Sequence, residues 1–224
     1  MLEKGPKLPP RTAPKTAVPR ASIAIFDMGG VLLDWNPRYL YRKLIADADE
    51  MERFLSTVTT SEWHVVQDGG GDPDEATRRL TAQHPGKEAL IEAFYGRFDE
   101  MLEHAFPDMA ALVERLHEAG TPLYLLSNAP GFLDSWLRGP AQQRHPFLGC
   151  FRNYVVSGRV RCCKPDAAIY DLVCRTGGFQ PGEAVLIDDN LPNVEGARAF
   201  GMHAIHHRSA DETTVGLRAL GLPA

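Results

Sequence analysis

Short apolar runs that alternate with helical patterns are the feature that most constrains how this chain folds. The runs are strand-sized and continuous; they occupy residues 22–26, 123–126, 154–156, 184–187 and 204–206. Amphipathic helical patterns lie between the later runs, at residues 109–119, 166–176 and 193–200. Continuously apolar strands that alternate with helices are typical of a parallel sheet buried on both faces. The sequence therefore predicts an α/β fold with helices on both faces of one parallel sheet.

Residues 36–105 interrupt this alternation, because they hold helical patterns and no convincing strand. The helical stretches lie at residues 39–47, 50–57, 75–83 and 88–103. A helix-rich segment between the first and second strands predicts a small helical cap domain, residues 36–105. The α/β core domain would then comprise residues 21–35 and 106–224, with hinges near residues 34–37 and 105–107.

Residues 1–20 differ in composition from the rest of the chain. They contain five prolines and five lysine or arginine residues against the single acidic residue Glu3. Such a mixture cannot form a packed element, since proline interrupts helices and strands and little apolar surface is available for burial. We expect residues 1–20 to form a disordered arm rich in proline and basic residues.

Composition limits the partners of the chain. A net charge of −5 over 224 residues provides no basic field for nucleic acid. No apolar run approaches the roughly 20 residues of a membrane-spanning helix. The four cysteines show no Cys-x-x-Cys spacing, which argues against zinc and redox motifs. With no secretory signal, we expect a cytoplasmic monomer or homodimer that binds a small molecule but neither nucleic acid nor membrane.

Polar residues follow the predicted strands at the edge of the sheet where ligands of open parallel sheets bind. Each of these residues alone has an ordinary structural explanation as a helix cap or turn former. The positions are Asp27, the pair Ser127 and Asn128, the pair Asp188 and Asp189, and Lys164 in the loop before the fourth strand. Their arrival together at one edge predicts a ligand site.

The chemistry of this set is that of a phosphate and a hard cation. A lysine, a hydroxyl, an amide and the loop N–H groups at Gly29 and Gly30 suit the oxygens of a phosphoryl group. Aspartates without a histidine or cysteine cluster suit an oxygen-liganded ion, which beside phosphate is usually Mg²⁺. A carboxylate next to that ion, such as Asp27, can attack phosphorus and form an acyl-phosphate.

These segments together resemble the haloacid dehalogenase-like superfamily, in the branch whose helical cap follows the first motif. The resemblance spans about residues 22–207, with a Rossmann-like core. The first motif is IAIFDMGGV at residues 23–31, and the second is LLSN at residues 125–128. The third is Lys164-Pro165, and the fourth is LIDDNLPN at residues 186–193.

The resemblance implies a role for each matching residue. Asp27 would be the nucleophile and a metal ligand, and Lys164 would act with it in catalysis. The other implied magnesium ligands are the Gly29 carbonyl, Asp189 and, directly or through water, Asp188. Ser127 and Lys164 would hold the phosphoryl group, with Asn128 beside it. Asn193 would orient the metal ligands or Lys164.

Gly29 departs from the pattern of the phosphatases in this superfamily. They usually carry a second aspartate two positions after the nucleophile, as general acid and base, and glycine cannot transfer a proton. His64 and Asp68 of the predicted cap are candidate substitutes by residue type alone. The Asp-x-Gly motif also resembles a sugar-1-phosphate phosphatase branch, whose leaving group needs little protonation. A sugar phosphate is therefore the mildly preferred substrate.

Two other functions remain open at this point. The 2-haloacid dehalogenases share the fold and also lack the second aspartate, but two adjacent acids at residues 188 and 189 would repel a substrate carboxylate. A non-catalytic binding module would also explain Gly29, although it would not need the nucleophile, the lysine and the acidic pair.

The predicted cap is expected to determine specificity by closing over the site. Trp63, His64 and Asp68 precede three consecutive glycines and are candidates for contact with the substrate. The alternative is that Trp63 packs between cap helices while His64 is solvated.

Overall fold

The computed structural model describes residues 20–102 and 104–224. The predicted N-terminal arm, apart from Arg20, lies outside these residues. The strands of the described part are β1 (Ile23–Phe26), β2 (Leu33–Asp34), β3 (His104–Ala105), β4 (Leu123–Ser127), β5 (Asn153–Val156), β6 (Ala184–Asp188) and β7 (His203–His206). The predicted strand-sized runs are thus confirmed as β1, β4, β5, β6 and β7.

These five strands form one parallel sheet in the order β5-β4-β1-β6-β7. The central strand β1 pairs with β4 on one side and β6 on the other, and Phe26 lies opposite both Leu125 and Ile187. Because parallel strands in this register end at the same edge, the residues after Phe26 lie beside the ends of β4 and β6. This register positions the site described below.

Helices cover both faces of the sheet, as the sequence predicts. They are α6 (Pro107–Glu118), α7 (Leu133–Leu137), α8 (Pro140–Arg144), α9 (Ser157–Val160), α10 (Ala167–Gly177), α11 (Leu191–Phe200) and α12 (Ala210–Ala219), with 3₁₀ turns at Pro146–Cys150 and Pro181–Glu183. Alternate residues of β1 enter different apolar clusters: Ala24 and Phe26 join one, and Ile23 and Ile25 join the other. A strand buried on both faces has this alternation and no polar face.

The segment of the predicted cap is helical. Its helices are α1 (Pro37–Tyr41), α2 (Ala48–Thr57), α3 (Ser61–Asp68), α4 (Pro73–Gln83) and α5 (Glu88–Gly96), followed by a 3₁₀ turn at Phe98–Met101. The sequence pattern predicts no separate helix at α3, and it extends the last helix to residue 103. The short strand β3 was also not expected; it pairs antiparallel with β2, Leu33 opposite Ala105, where the hinges are predicted.

Within residues 20–102 and 104–224, none of the helices combines the length and the apolar character that crossing a bilayer requires.

Candidate active site

Three carboxylates meet at the end of the central strands. Asp27 follows β1, Asp188 ends β6 and Asp189 comes next, and one oxygen of each lies within 4.8 Å of the others. Ser127, the last residue of β4, is buried beside them and lines the same cavity. The structure therefore brings together residues that are separated by up to 162 positions in the sequence, as the parallel register requires.

Lys164 connects two of these carboxylates. Its Nζ lies 3.0 Å from Asp27 Oδ1 and 2.7 Å from Asp188 Oδ2, and it also donates to the Leu126 carbonyl at 2.8 Å. Burial opposes the charge of this ammonium, but the attraction of Asp27 and Asp188 outweighs it and raises the pKa of Lys164. The ammonium is thus held as a cation between the two acids.

Asp27 is buried, and the contacts that hold its side chain in place are made by one carboxylate oxygen, Oδ1. Its Oδ1 accepts a hydrogen bond from the Met28 N–H at 2.7 Å as well as the contact with Lys164. Burial raises the pKa of Asp27 to about 6, with Lys164 opposing that shift and Asp188 adding to it. Three acids with one lysine between them leave excess negative charge at this edge of the sheet.

Two asparagines brace this arrangement from outside. Asn128 exchanges two hydrogen bonds with the Lys164 backbone, each of 2.9 Å. Asn193 Nδ2 donates to Asp188 Oδ1 at 3.0 Å, and the Asn190 N–H donates to the same oxygen at 2.9 Å. The Asn128 side chain therefore lines the cavity with its amide already engaged, while Asn193 orients an acid of the cluster.

The loop after β1 requires glycine at residue 30. Gly30 has a φ of +73°, and a Cβ built there would lie 2.3 Å from Asp189 Oδ2. A side chain would therefore be strained by its backbone and would also displace the Asp189 carboxylate. Gly29 and Gly30 both line the cavity, so the turn keeps this side of the acidic cluster open.

A cavity of about 320 Å³ opens above the acidic cluster. Its floor is formed by Asp27, Asp189, Ser127 and Asn128. Its upper wall is apolar and aromatic, with contributions from Trp35, His64, Phe98, Pro130 and Leu133. No lysine or arginine is among the lining residues that the structure describes.

His64 belongs to this wall, so the alternative in which it is solvated is wrong. Its side chain is 12% exposed, its ring stacks on Trp35 at 5.4 Å between centroids, and its Nδ1 lies 3.1 Å from the Tyr95 hydroxyl. Burial lowers the pKa of His64 to about 4, so the ring is neutral near pH 7.

Of the other two candidates in the predicted cap, one lines the cavity and one does not. Asp68 lines the cavity with Asp27, whereas Trp63 lies behind the wall, packed on Phe94 and Tyr95. Phe98 and Leu133 line the cavity without having been singled out in the sequence. Leu133 follows the second motif by five positions, which is a usable signal, but nothing in the pattern around Phe98 distinguishes it from an ordinary core residue.

Comparisons with known proteins identify the family to which this chain belongs. The sequence profile of the haloacid dehalogenase-like hydrolases matches residues 21–201. The sesquiterpene phosphatase astK of Aspergillus oryzae is 32% identical over 88% of this chain and 95% of its own length. An (S)-2-haloacid dehalogenase of Burkholderia cepacia is 24% identical over 81% of this chain and 80% of its own.

A solved structure supports the fold. A haloacid dehalogenase family enzyme of Bacteroides thetaiotaomicron, crystallised with magnesium and inorganic phosphate, superposes with a TM-score of 0.61 at 21% identity, covering 84% of this chain and 94% of the other. The family profile spans most of the chain, and the topology is the α/β fold of these enzymes. This protein belongs to the haloacid dehalogenase-like hydrolases and is a hydrolase.

Proposed function

We propose that this hydrolase is a magnesium-dependent phosphatase that cleaves small phosphate monoesters through a phosphoryl group carried on Asp27. The observation that carries the proposal is the contact of Lys164 with both Asp27 and Asp188, beside the accessible carboxylate of Asp189. A lysine held between acids, of which Asp27 lines the cavity, suits a dianionic phosphoryl group and a divalent ion together.

The acidic cluster fits magnesium by its donors and its charge. Carboxylate oxygens are the ligands that Mg²⁺ prefers, and one lysine offsets only part of the charge of three acids. Both Asp188 oxygens already accept hydrogen bonds from Lys164, Asn193 or Asn190. We therefore assign Asp27, Asp189 and the Gly29 carbonyl as the direct ligands, with Asp188 acting through water.

The bound ion would supply charge neutralisation at the phosphoryl oxygens. The chain's own residues do the rest. Lys164 fixes Asp27 Oδ1, so Oδ2 is the oxygen that we assign to attack phosphorus. We assign Ser127 to hold the phosphoryl oxygens at the floor, while the buried Lys164 ammonium, already engaged with Asp27, Asp188 and the Leu126 carbonyl, balances the negative charge there. The P–O bond to the leaving group breaks as the bond to Asp27 forms, and water then hydrolyses the acyl-phosphate.

The wall of the cavity favours an apolar leaving group. Trp35, Phe98, Pro130 and Leu133 offer no hydrogen-bonding side chain except the indole N–H, and His64 is neutral and engaged with Tyr95. A sugar would lose its hydration against these residues, and the Asp68 carboxyl and the indole N–H would replace only part of it. An isoprenoid chain would gain about 25 cal/mol for each Å² of apolar surface buried. The 32% identity with a sesquiterpene phosphatase supports this choice over the sugar phosphate preferred from sequence.

The cavity disfavours the dehalogenase alternative. A 2-haloacid carries a carboxylate, and the described residues that line this cavity present the carboxylates of Asp27 and Asp189 without a lysine or arginine to receive it. Like charges at such separations are costly in a partly buried site. A second anionic group on any substrate meets the same barrier, so we propose a phosphate monoester without one.

The test is phosphate release from farnesyl phosphate and from glucose 1-phosphate, each with MgCl₂ and with EDTA. We expect magnesium-dependent release, with the larger kcat/KM for farnesyl phosphate. Asp27→Asn should abolish it while the protein stays folded by circular dichroism. Magnesium-independent halide release from 2-chloropropionate, with no phosphate release from any ester, would replace the phosphatase with the dehalogenase alternative. Absence of both activities would favour the non-catalytic module.

A further inference from the structure

The residues assigned above to the phosphoryl group and the ion leave the leaving oxygen without a proton donor. An alcohol oxygen leaves phosphorus poorly as an alkoxide, and Gly29 occupies the position where related phosphatases carry their acid. Lys164 is committed to Asp27, Asp188 and the Leu126 carbonyl. A proton donor must therefore come from another wall of the cavity.

Asp68 is the carboxyl group that the cavity wall supplies. It is the last residue of α3, its side chain is 13% exposed, and it lines the same cavity as Asp27 and Asp189. Its Oδ1 is buried and has no hydrogen-bond partner among the described residues. The nearest basic nitrogen, His64 Nε2, lies 3.7 Å away, beyond hydrogen-bonding distance. A buried carboxyl oxygen without a partner is costly unless a ligand completes it.

The backbone of Asp68 is fixed to the loops around the catalytic lysine. Its carbonyl accepts hydrogen bonds from Ser157 Oγ at 2.6 Å and from Cys163 Sγ at 3.3 Å. Cys163 directly precedes Lys164, so the contact links Asp68 to the residue that holds Asp27.

A close approach of two backbones adds to this attachment. A Cβ on Gly158 would lie 2.9 Å from the Gln67 carbonyl oxygen and 2.4 Å from the Gly131 nitrogen. Only glycine permits this approach, which brings the end of α3 directly onto the core. The carbonyls of the last two residues of α3, Gln67 and Asp68, are therefore both held against the core, which fixes this end of the helix at the cavity.

Among the described residues, none of the titratable groups that face Asp68 carries a positive charge that would hold it ionised. They are His64 on its own helix, Tyr95 on α5, Asp27 after β1 and Cys163 before Lys164. Burial raises the pKa of Asp68 to about 7, and the Asp27 charge adds to the shift. The pKa of His64 is lowered by burial, and burial raises those of Tyr95 and Cys163, so these three neighbours are neutral near pH 7.

We propose that Asp68 is the general acid and base of this enzyme, supplied from the predicted cap in place of the acid missing at Gly29. The proposal rests on the phosphatase function proposed above. In the first step Asp27 bonds to phosphorus, the ester P–O bond breaks, and the leaving oxygen takes the Asp68 proton. In the second step water attacks phosphorus and gives a proton to the Asp68 carboxylate. The bond from phosphorus to Asp27 then breaks, releasing phosphate and restoring both acids.

The test compares leaving groups that do and do not need a proton. Asp68→Asn should lose about 10²–10⁴-fold in kcat/KM on farnesyl phosphate, the usual contribution of a general acid. Its loss on 2,4-dinitrophenyl phosphate should be far smaller, because dinitrophenolate leaves without protonation. On the aryl ester the variant should also release a burst of dinitrophenolate equimolar with the protein, since hydrolysis of the acyl-phosphate lacks its base. Asp68→Glu should restore part of the activity with a displaced pH profile.

Asp49→Asn, an exposed acid in the first turn of α2, is the matched control and should keep wild-type values. The amplitude of the burst measures the concentration of correctly folded active sites. Misfolding of the variant would lower this amplitude and so would not produce the expected result. Equal losses on both esters, or no loss on either, would overturn this proposal and leave the phosphatase function intact. Absence of magnesium-dependent turnover by the wild type would overturn both.

Discussion

Replacing Gly30 with alanine is expected to weaken magnesium binding more than it weakens the fold. At a φ of +73° an alanine costs about 1–2 kcal/mol of stability. The new Cβ would also lie 2.3 Å from Asp189 Oδ2 and 2.8 Å from its Cγ. Because both are atoms of a short, half-exposed side chain, the carboxylate can turn away, and the clash is relieved at the expense of the metal ligand.

The expected loss of magnesium affinity can be estimated from the usual effect of disturbing a metal ligand. Disturbing the groups that orient metal ligands typically lowers affinity about 10–100-fold. At about 1.4 kcal/mol for each tenfold change, this is about 1.4–2.8 kcal/mol of binding free energy. Gly178→Ala is the matched control, since Gly178 has a φ of +71° and nothing within 4 Å of the added Cβ. It should carry the same backbone cost without any effect on magnesium.

The assay is a magnesium titration by isothermal calorimetry on both variants, with urea unfolding in EDTA to measure stability. We expect similar losses of unfolding free energy in the two variants and weaker magnesium binding in Gly30→Ala alone. Equal magnesium affinities would refute the assignment of Asp189 as a ligand beside Gly30. A much larger loss of stability in Gly30→Ala would show that the Asp189 side chain cannot move aside.

Three further outcomes test the buried network by urea unfolding. Lys164→Met should cost about 3–5 kcal/mol in metal-free protein, because it leaves Asp27 and Asp188 buried without their cation; a neutral effect would contradict that pairing. Asn193→Ala should cost about 1.5–3 kcal/mol through the lost bond to Asp188; a loss below that range would mean that water replaces the amide. Folded Asp68 keeps its proton up to about pH 7, whereas an unfolded aspartate releases its proton near pH 4. The contribution of Asp68 to the unfolding free energy of the metal-free protein therefore falls as pH rises between these two values. Asp68→Asn removes that contribution and should gain stability relative to wild type across this window; a difference that does not change with pH would contradict the burial of Asp68.

The sheet and the residues at the floor of the cavity could be predicted because the sequence patterns that indicate them are local. Each buried strand is a continuous apolar run, and Asp27, Ser127 and Asp188 lie at or directly after the ends of such runs. Once the strands are parallel, topology alone brings these residues together. The Lys164 loop was recognisable for a different reason, since its Lys-Pro pair matches the third motif of the superfamily.

The wall of the cavity could not be predicted in this way. Residue type left two interpretations of His64 open, contact with the substrate or exposure to solvent, and Trp35 and Tyr95 bury it from distant parts of the chain. The position of Asp68 depends on the close backbone approach at Gly158, which leaves no trace in hydrophobic periodicity. Contacts between the predicted cap and the core are set by tertiary packing, so residue type alone could only nominate these side chains.

The most direct test of the account is to find the phosphoryl group on the protein. Wild-type enzyme is mixed with farnesyl phosphate and MgCl₂, quenched in acid during turnover, digested, and analysed by mass spectrometry. The account predicts a phosphorylated peptide with the modification on Asp27, absent in EDTA and absent from Asp27→Asn. Phosphorylation of another residue would contradict the account. So would phosphate release without phosphorylated Asp27 when Asp68→Asn turns over 2,4-dinitrophenyl phosphate, the ester with which the intermediate should accumulate.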